Sequence, residues 1–234
     1  MISITVPAYN EEAVIEDFIN AVETRLKLDE PWELLIVNDG SKDNTAAIVQ
    51  RLQKDYKNLR LVSHEVNQNL GGALRTCFKE AKGDIIVTMD SDLTHPPELI
   101  PDLIHALREA NADVAIASRY AHGGGMENVP GWRVALSVAF NRTMGLLMMT
   151  RVKDITAGFK AYRADLVKSL HLKSRGFEIQ MEIMTRLFKK RAKFVEIPLM
   201  LRNREKGASK FNFFRAAPKY GVNVSKLFLL RWFG

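Results

Sequence analysis

The sequence predicts an α/β fold built on a mostly parallel sheet, and three observations support that prediction. Short apolar, strand-forming runs alternate with amphipathic helical patterns up to residue 118, as they do when crossover helices join parallel strands. Two of the strand-forming runs end abruptly in carboxylates, at Asp39 and at Asp90. One helical pattern begins at Pro96-Pro97-Glu98, a combination that favours a helix start. We therefore expect helices on both faces of a central sheet.

The elements follow in order from hydrophobic periodicity and turn residues. Strands are predicted at 3–6, 33–38, 59–63, 85–90, 114–118 and 194–201. Helices are predicted at 13–28, 44–55, 71–81, 97–110, 132–150 and 177–188. The first strand is expected to stop near Pro7, because proline cannot donate to a sheet ladder.

The composition is that of a folded globular chain. Hydrophobic residues make up 47% and charged residues 26%, which excludes a disordered protein. The single cysteine, Cys77, excludes an intramolecular disulfide. The most apolar stretch, 134–149, is interrupted by Asn141 and Arg142, whereas a membrane span needs about 20 mainly apolar residues. Because Met1 leads directly into the first strand, a cytoplasmic location is expected.

The formal net charge of +7 at pH 7 calls for either an anionic partner or an explanation in terms of solubility. Nucleic acid, anionic lipid and phosphate-bearing substrates are all compatible with that charge. Nucleic acid is the least favoured, because the sequence has no helix-turn-helix pattern and no interleaved exposed aromatic residues. In the segment 211–233 basic residues stand beside large apolar ones, a pattern typical of a helix lying on a membrane surface.

The run Asp90-Ser91-Asp92 is the strongest candidate for a catalytic centre. Two carboxylates so close in sequence repel each other unless a cation lies between them. Oxygen ligands suit a hard cation such as Mg²⁺ or Mn²⁺, and ligands of an open parallel sheet bind at the carboxyl ends of its strands. A lone aspartate after a strand is otherwise a turn residue or a helix cap.

Three motifs resemble those of the family 2 glycosyltransferases in order and spacing. They are VPAYNEE (6–12), VNDGSKDNT (37–45) and MDSDLTHPPE (89–98). Within that family the chain is most similar to dolichol-phosphate mannose synthases and related polyprenyl-phosphate glycosyltransferases, through ASRY (117–120), AGFKAYR (157–163) and GASK (207–210). The resemblance covers nearly the whole chain. It implies one GT-A (Rossmann-like) domain over residues 1–210, followed by an amphipathic, membrane-interfacial segment over 211–234.

The resemblance also implies a reaction and a set of site residues. The reaction is the inverting transfer of mannose or glucose from a nucleotide-diphosphate sugar to a polyprenyl phosphate. The predicted donor-binding residues are Pro7, Tyr9, Asn10, Glu11, Val37, Asp39, Gly71, Asp90 and Ser91. The predicted metal ligands for Mg²⁺ or Mn²⁺ are Asp90, Asp92 and Thr94, of which the two aspartates are also the catalytic residues. The predicted acceptor-phosphate residues are Arg119, Arg133, Ser137, Arg204, Ser209 and Lys210.

Two departures from the family pattern leave the donor open. Thr94 stands where related enzymes often have glutamine, and Asn38 stands where they often have a carboxylate. Both GDP-mannose and UDP-glucose therefore stay possible donors. The residues also leave two other functions open: transfer to a saccharide or protein hydroxyl with Glu178 or Glu182 as base, and a catalytically silent nucleotide-sugar-binding subunit.

The expected partners are the sugar nucleotide, the polyprenyl phosphate and a membrane surface, without nucleic acid. The amphipathic stretches 132–149 and 211–233 are expected to lie on the cytoplasmic face of the membrane without spanning it.

Overall fold

The structure is a computed structural model that describes residues 1–201. Its strands are β1 (Ile2–Ala8), β2 (Trp32–Asn38), β3 (Leu59–Ser63), β4 (Ile85–Thr88), β5 (Val114–Ser118), β6 (Gly125–Met126), β7 (Lys160–Arg163), β8 (Phe194–Pro198) and β9 (Met200–Leu201). Its α-helices are α1 (Ile15–Arg25), α2 (Thr45–Leu52), α3 (Asn69–Glu80), α4 (Ile100–Glu109), α5 (Gly131–Leu147), α6 (Ala164–Lys168) and α7 (Ile179–Lys189). A short 3₁₀ turn, Pro97–Leu99, precedes α4.

Within residues 1–201, seven strands form one sheet in the order β3-β2-β1-β4-β7-β5-β8. Every neighbouring pair is parallel except the two that involve β7, which runs antiparallel to β4 and to β5. Strands β6 and β9 pair separately. The predicted α/β fold with a mostly parallel sheet is therefore confirmed.

The sheet is buried on both faces, as expected when crossover helices cover it. One face packs against α1, α2 and α4 and includes Ile4, Val6 and Phe18. The other packs against α3, α7 and the end of α5 and includes Ile86, Tyr162 and further apolar residues. The two cores hold the strands rigidly, so their carboxyl ends form a fixed platform for the loops that follow them.

Three predictions about the elements need correction. Strand β1 runs past Pro7 to Ala8. Strand β4 pairs with β1 only as far as Thr5. Because Pro7 lies beyond that point, its lack of an N–H group removes no hydrogen bond to β4. The predicted strand 194–201 is divided into β8 and β9, which belong to different sheets. Strand β7 was not predicted, since four residues beginning with Lys160 carry little strand signal.

Helix α5 is only partly covered. Met144 and Met148 are buried against the second core, whereas Trp132 and Leu136 are exposed. No helix in the described part of the chain is long and apolar enough to span a membrane. The predicted domain boundary at residue 210 and the segment 211–234 lie outside the described residues.

Candidate active site

A cleft of about 360 Å³ opens at the carboxyl ends of β1 and β2. It is lined by Pro7, Ala8, Tyr9, Glu11, Asp39, Asn67, Asn69, Leu70, Ala73, Gly176 and Phe177. The strand ends supply its polar floor, and α3 and the loop before α7 supply its walls. Four of the predicted donor-binding residues, Pro7, Tyr9, Glu11 and Asp39, therefore lie around one cavity.

Asp39 is the buried carboxylate of this cleft. Its Oδ1 atom lies 2.7 Å from Nδ1 of His64 and accepts the backbone N–H of Gln68 at 2.8 Å. The Asn67 side chain donates to the backbone carbonyl of Asp39 at 3.1 Å. The loop after β3 thus holds Asp39 in one position at the end of β2.

Asp90 follows β4 and keeps its side chain about half exposed, at 53%. Its backbone N–H donates to Nδ1 of His95 at 3.3 Å, and the His95 ring stacks on Phe159 with 5.1 Å between centroids. The backbone of Gly158 lies close by, since a Cβ there would be 3.4 Å from Asp90 Oδ2. A buried imidazole and a glycine therefore shape the surroundings of an accessible carboxylate.

Asp92 is held by a tight local turn. Its Oδ1 atom accepts the backbone N–H of Thr94 at 3.1 Å and the Thr94 hydroxyl at 2.7 Å. Leu93 between them has a φ of +59°, a left-handed conformation uncommon for a residue with a side chain. In this structure Thr94 thus contacts Asp92 directly, and its predicted role as a metal ligand stays a prediction.

Arg119 follows β5 and forms a buried ion pair with Asp154. The Nε and Nη2 atoms of Arg119 donate to the two carboxylate oxygens of Asp154 at 2.7 and 2.6 Å, and Nη2 also donates to Thr156. The Asp154 side chain is fully buried. Burial alone would lower the pKa of Arg119, but hydrogen bonding and charge from Asp154 outweigh it and raise that pKa.

The other described acceptor candidates lie on α5. The hydroxyl of Tyr120 donates to Oγ of Ser137 at 2.6 Å, and the guanidinium of Arg119 lies 5.2 Å from the centroid of the Tyr120 ring. Arg119 and Ser137 are thereby linked through Tyr120. Arg133 lies over the ring of Trp132, 5.2 Å from its centroid. The candidates Arg204, Ser209 and Lys210 lie outside the described residues.

Lys160 is fully buried. Its Nζ atom donates to the carbonyl oxygen of Ala157 and, at 3.2 Å, to the side-chain oxygen of Gln180. Burial lowers the pKa of Lys160 to about 7, against an opposing effect from Asp154. Lys160 therefore holds its proton less tightly than an exposed lysine does.

Three other predicted donor-binding residues are packed or hydrogen-bonded within the fold. Val37 is packed in a small core with Ala73 and Cys77. The Gly71 amide donates to the carbonyl oxygen of Arg175 at 2.7 Å, and Ser91 is buried. Their contact with a nucleotide stays a prediction.

Asn10 closes a turn with the neighbouring loop. It has a φ of +50°, and its side-chain oxygen accepts the backbone N–H of Lys42 at 2.8 Å. Its predicted contact with the donor likewise stays a prediction.

Sequence reasoning missed His64, Asp154 and Lys160. Each contacts or electrostatically influences a predicted site residue across a long separation in sequence, 25 residues for His64 and Asp39 and 35 for Arg119 and Asp154. One signal was present: Lys160 lies inside the AGFKAYR motif.

The two glutamates that a hydroxyl acceptor would need as bases have structural contacts. Glu182 is buried and accepts the backbone N–H groups of Lys173 and Ser174 as well as the guanidinium of Arg186. Burial alone would raise the pKa of Glu182, but these contacts together lower it. Glu178 accepts the backbone N–H of Gly176 at 3.0 Å.

Comparison with known proteins places the chain in a family. The sequence profile of glycosyl transferase family 2 matches residues 3–170. The chain belongs to glycosyl transferase family 2. The family predicted from the three motifs is thereby confirmed.

Two curated relatives match most of the chain. It is 35% identical over 212 residues to a dolichol-phosphate mannosyltransferase of Pyrococcus furiosus, a match that covers 89% of this chain and 58% of that protein. It is 31% identical over 216 residues to a polyprenol monophosphomannose synthase of Mycolicibacterium smegmatis, covering 89% of this chain and 80% of that protein. The chain therefore spans little more than half of the first relative and most of the second.

A solved structure confirms the GT-A fold. Glucosyl-3-phosphoglycerate synthase from Mycobacterium tuberculosis, in complex with Mn²⁺, UDP-glucose and phosphoglyceric acid, superimposes with a TM-score of 0.73. The sequence identity is 22%, and the match covers 99% of this chain and 79% of that one. At this identity the likeness concerns the fold alone.

Proposed function

We propose that this family 2 glycosyltransferase transfers a hexose from a nucleotide-diphosphate sugar to a polyprenyl phosphate, with inversion at the sugar. The observation that carries the proposal is the arrangement of two unlike sites on one sheet edge. A cleft that contains Glu11 and Asp39 lies at the ends of β1 and β2, and Asp90 and Asp92 follow β4. An ion pair between Arg119 and the buried Asp154 lies at the end of β5. The names of the two curated relatives refer to dolichol phosphate and to polyprenol monophosphomannose.

The cleft suits the nucleoside part of the donor. Tyr9 offers a ring for stacking, and Asp39 offers a fixed acceptor for the N–H or O–H groups of a nucleobase or ribose. Glu11 lies at the same rim. A cleft of about 360 Å³ falls within the range of small-molecule sites.

Asp90 and Asp92 fit a divalent metal by their chemistry. Both offer carboxylate oxygens, the ligands that Mg²⁺ and Mn²⁺ prefer, and the Asp90 side chain is accessible. No group of three His, Cys, Asp or Glu side chains within residues 1–201 converges as a complete metal site. This fits an ion that is completed by substrate phosphates. Such an ion would neutralise the charge that develops on the departing diphosphate.

The chain's own residues would prepare this loop for the donor. Thr94 fixes Asp92 Oδ1 through two hydrogen bonds, and His95 accepts the backbone N–H of Asp90. Donor phosphates would therefore meet carboxylates whose positions are set before binding, which lowers the cost of reorganisation during the reaction.

The acceptor half of the reaction needs cations rather than a base. A phosphate monoester is already an anionic nucleophile, and arginine matches its geometry with a planar set of donors. The described contacts of Arg119 use Nε and Nη2, and Nη1 carries two more N–H groups. Ser137 and Arg133 would add contacts from α5, and Arg204, Ser209 and Lys210 from beyond the described residues. The buried contacts of Glu182 disfavour that residue as the base for a hydroxyl acceptor.

A polyprenyl chain would bring the protein to a membrane surface. Helix α5 exposes Trp132, Leu136 and Leu146, with Arg133 and Arg142 also exposed on the same helix. Exposed apolar and basic side chains on one helix are typical of interfacial binding. Peripheral attachment at the cytoplasmic face is therefore part of the proposal, together with the segment 211–234.

The experiment compares acceptors with each donor. The protein is incubated with radiolabelled UDP-glucose or GDP-mannose, Mg²⁺ and undecaprenyl phosphate in detergent, and label is counted in the organic extract. Undecaprenol, the same lipid without phosphate, is the matched control. We expect label in the organic phase only with the phosphorylated lipid, and less of it in EDTA.

Two outcomes would contradict the proposal. Label appearing on a soluble sugar, a phosphorylated acid or a protein, but not on the lipid, would indicate a hydroxyl acceptor. Binding of a sugar nucleotide without transfer to any acceptor would indicate a catalytically silent subunit.

A further inference from the structure

His64 contacts the carboxylate of Asp39, which lines the proposed donor cleft. The residue follows β3, and its side chain is 8% exposed. Its Nδ1 lies 2.7 Å from Oδ1 of Asp39, and its Nε2 lies 2.9 Å from the hydroxyl oxygen of Thr76 on α3. Because a carboxylate only accepts hydrogen bonds, Nδ1 carries the hydrogen of the first contact. Both ring nitrogens are thus used to fix the ring against Asp39.

Three further contacts leave Asp39 little freedom to turn. Its backbone N–H donates to the carbonyl oxygen of Ala8 at 2.8 Å, and its own carbonyl accepts from Asn67. The backbone N–H of Gln68 donates to Oδ1. Residues 66 and 67 pack so closely on the next turn that a Cβ on Gly40 would lie 2.7 Å from the Asn67 nitrogen.

Both side-chain contacts fall on the same oxygen of Asp39. Oδ1 receives the His64 ring N–H and the Gln68 backbone N–H, and two donors occupy the two lone pairs of one carboxylate oxygen. For a ligand in the cleft, Asp39 therefore has one oxygen, Oδ2, with which to accept. The Asp39 carboxylate therefore offers a ligand a monodentate acceptor and not a bidentate one.

We propose that His64 thereby determines which nucleobase the donor carries, and that the site takes uracil in preference to guanine. Uracil offers a single N–H between two carbonyl groups. Guanine offers a ring N–H and an amino N–H side by side, and these pair best with both oxygens of a carboxylate. Adenine and cytosine place a ring-nitrogen acceptor beside the amino group, which a carboxylate repels. This inference rests on the proposed function, because it assumes a nucleotide-sugar donor in this cleft.

The test is the ratio of the affinities for UDP and GDP, measured by calorimetry on the full chain with Mg²⁺. For the unmodified protein we expect UDP to bind about tenfold more tightly than GDP or better, since a second N–H donor of guanine is left without its partner. GDP binding as tightly as UDP, or more tightly, would overturn the inference without any variant.

Two variants separate positioning from a general structural role. His64→Ala removes the donor to Oδ1, so the UDP preference should fall by several-fold as guanine gains access to both oxygens. His64→Asn places an amide N–H near the position of Nδ1 and should keep the preference, although it loses the contact with Thr76. An unchanged UDP-to-GDP ratio in a folded His64→Ala protein would show that His64 has no part in nucleobase choice.

Failure of the proposed function gives a different result. If neither UDP nor GDP binds, both the inference and the proposed function are wrong. If GDP is preferred and label still reaches the phosphorylated lipid, only the assignment of uracil is wrong.

Discussion

The proposed donor half and the proposed acceptor half of the site are built in different ways. The donor half comprises Asp39, Asp90, Asp92 and the loops at the ends of β1, β2 and β4. The acceptor half comprises Arg119, Tyr120 and Ser137 with the buried Asp154 behind them. In the donor half, short turns and backbone N–H groups hold the carboxylates of Asp39 and Asp92, and the Asp90 side chain is half exposed. In the acceptor half, a buried ion pair holds a mostly buried cation.

This difference predicts different consequences of mutation. A carboxylate held by a turn at the surface contributes little to folding, so its loss should affect the reaction alone. A buried ion pair is costly to break, because removal of one partner leaves the other charge buried without compensation. Substitutions in the acceptor half should therefore change stability together with activity.

The largest effect is expected in the donor half. Asp92→Asn should lower turnover about a thousandfold, or about 4 kcal/mol, because it weakens binding of the metal that neutralises the leaving group. The melting temperature should stay close to that of the unmodified protein. Asp55→Asn, at an exposed position after α2, is the matched control. Full activity of Asp92→Asn in EDTA would show that the reaction does not need a metal held by Asp92.

Substitutions in the acceptor half should lower the stability of the protein. Asp154→Ala leaves the Arg119 guanidinium without its two carboxylate contacts, so the free energy of unfolding should fall by about 3 kcal/mol. Urea titration followed by circular dichroism measures this loss, with Asp55→Ala as the control.

A double substitution sharpens that comparison. Arg119→Met combined with Asp154→Leu replaces both charges with apolar groups, and it should recover much of the stability without recovering transfer to the lipid. A loss in Asp154→Ala no larger than in Asp55→Ala would show that the two halves do not differ in this way.

Lys160 should make the stability of the protein depend on pH. Its pKa is about 7 in the folded protein against an ordinary value of 10.5, so between these values the unfolded chain binds more protons. Stability should therefore rise with pH from about 7 towards 10 in the unmodified protein. Lys160→Met should lack this contribution. Unfolding free energies at pH 6 and pH 9 measure it, and parallel pH profiles of the two proteins would contradict the low pKa.

The smallest effect is expected on the exposed face of α5. Leu136→Ala should reduce flotation with liposomes containing anionic lipid by a few-fold at most, because it removes one of several exposed apolar side chains. Val66→Ala, at an exposed apolar residue of another loop, is the control. Equal flotation of both variants and the unmodified protein would show that Leu136 is not part of a membrane-binding surface.

Much of the donor half could be predicted from the sequence because its groups directly follow apolar runs. Asp39 comes after β2 and Asp90 after β4, and a strand end is a local property of the chain. The parallel sheet was predictable for the same reason, through the alternation of strands and helices.

The supporting residues could not be predicted because they act across the fold. His64 meets Asp39, and Asp154 meets Arg119, only after separate strands have paired. Strand β7 escaped prediction because it is short and places a lysine in the core, where burial of an ordinary charge is unfavourable. Strand β1 can include Pro7 because its neighbour β4 pairs only as far as Thr5. The sequence does not reveal where that pairing ends.

The central claim is that one half of the site binds the sugar nucleotide and the other binds the lipid phosphate. Its most direct test is the Michaelis constant of each substrate for Asp39→Asn and Arg119→Lys, measured with undecaprenyl phosphate and the preferred sugar nucleotide. We expect Asp39→Asn to raise only the donor constant, and Arg119→Lys to raise only the acceptor constant, each by about tenfold. If both variants change the same constant, the division of the site into two halves is wrong.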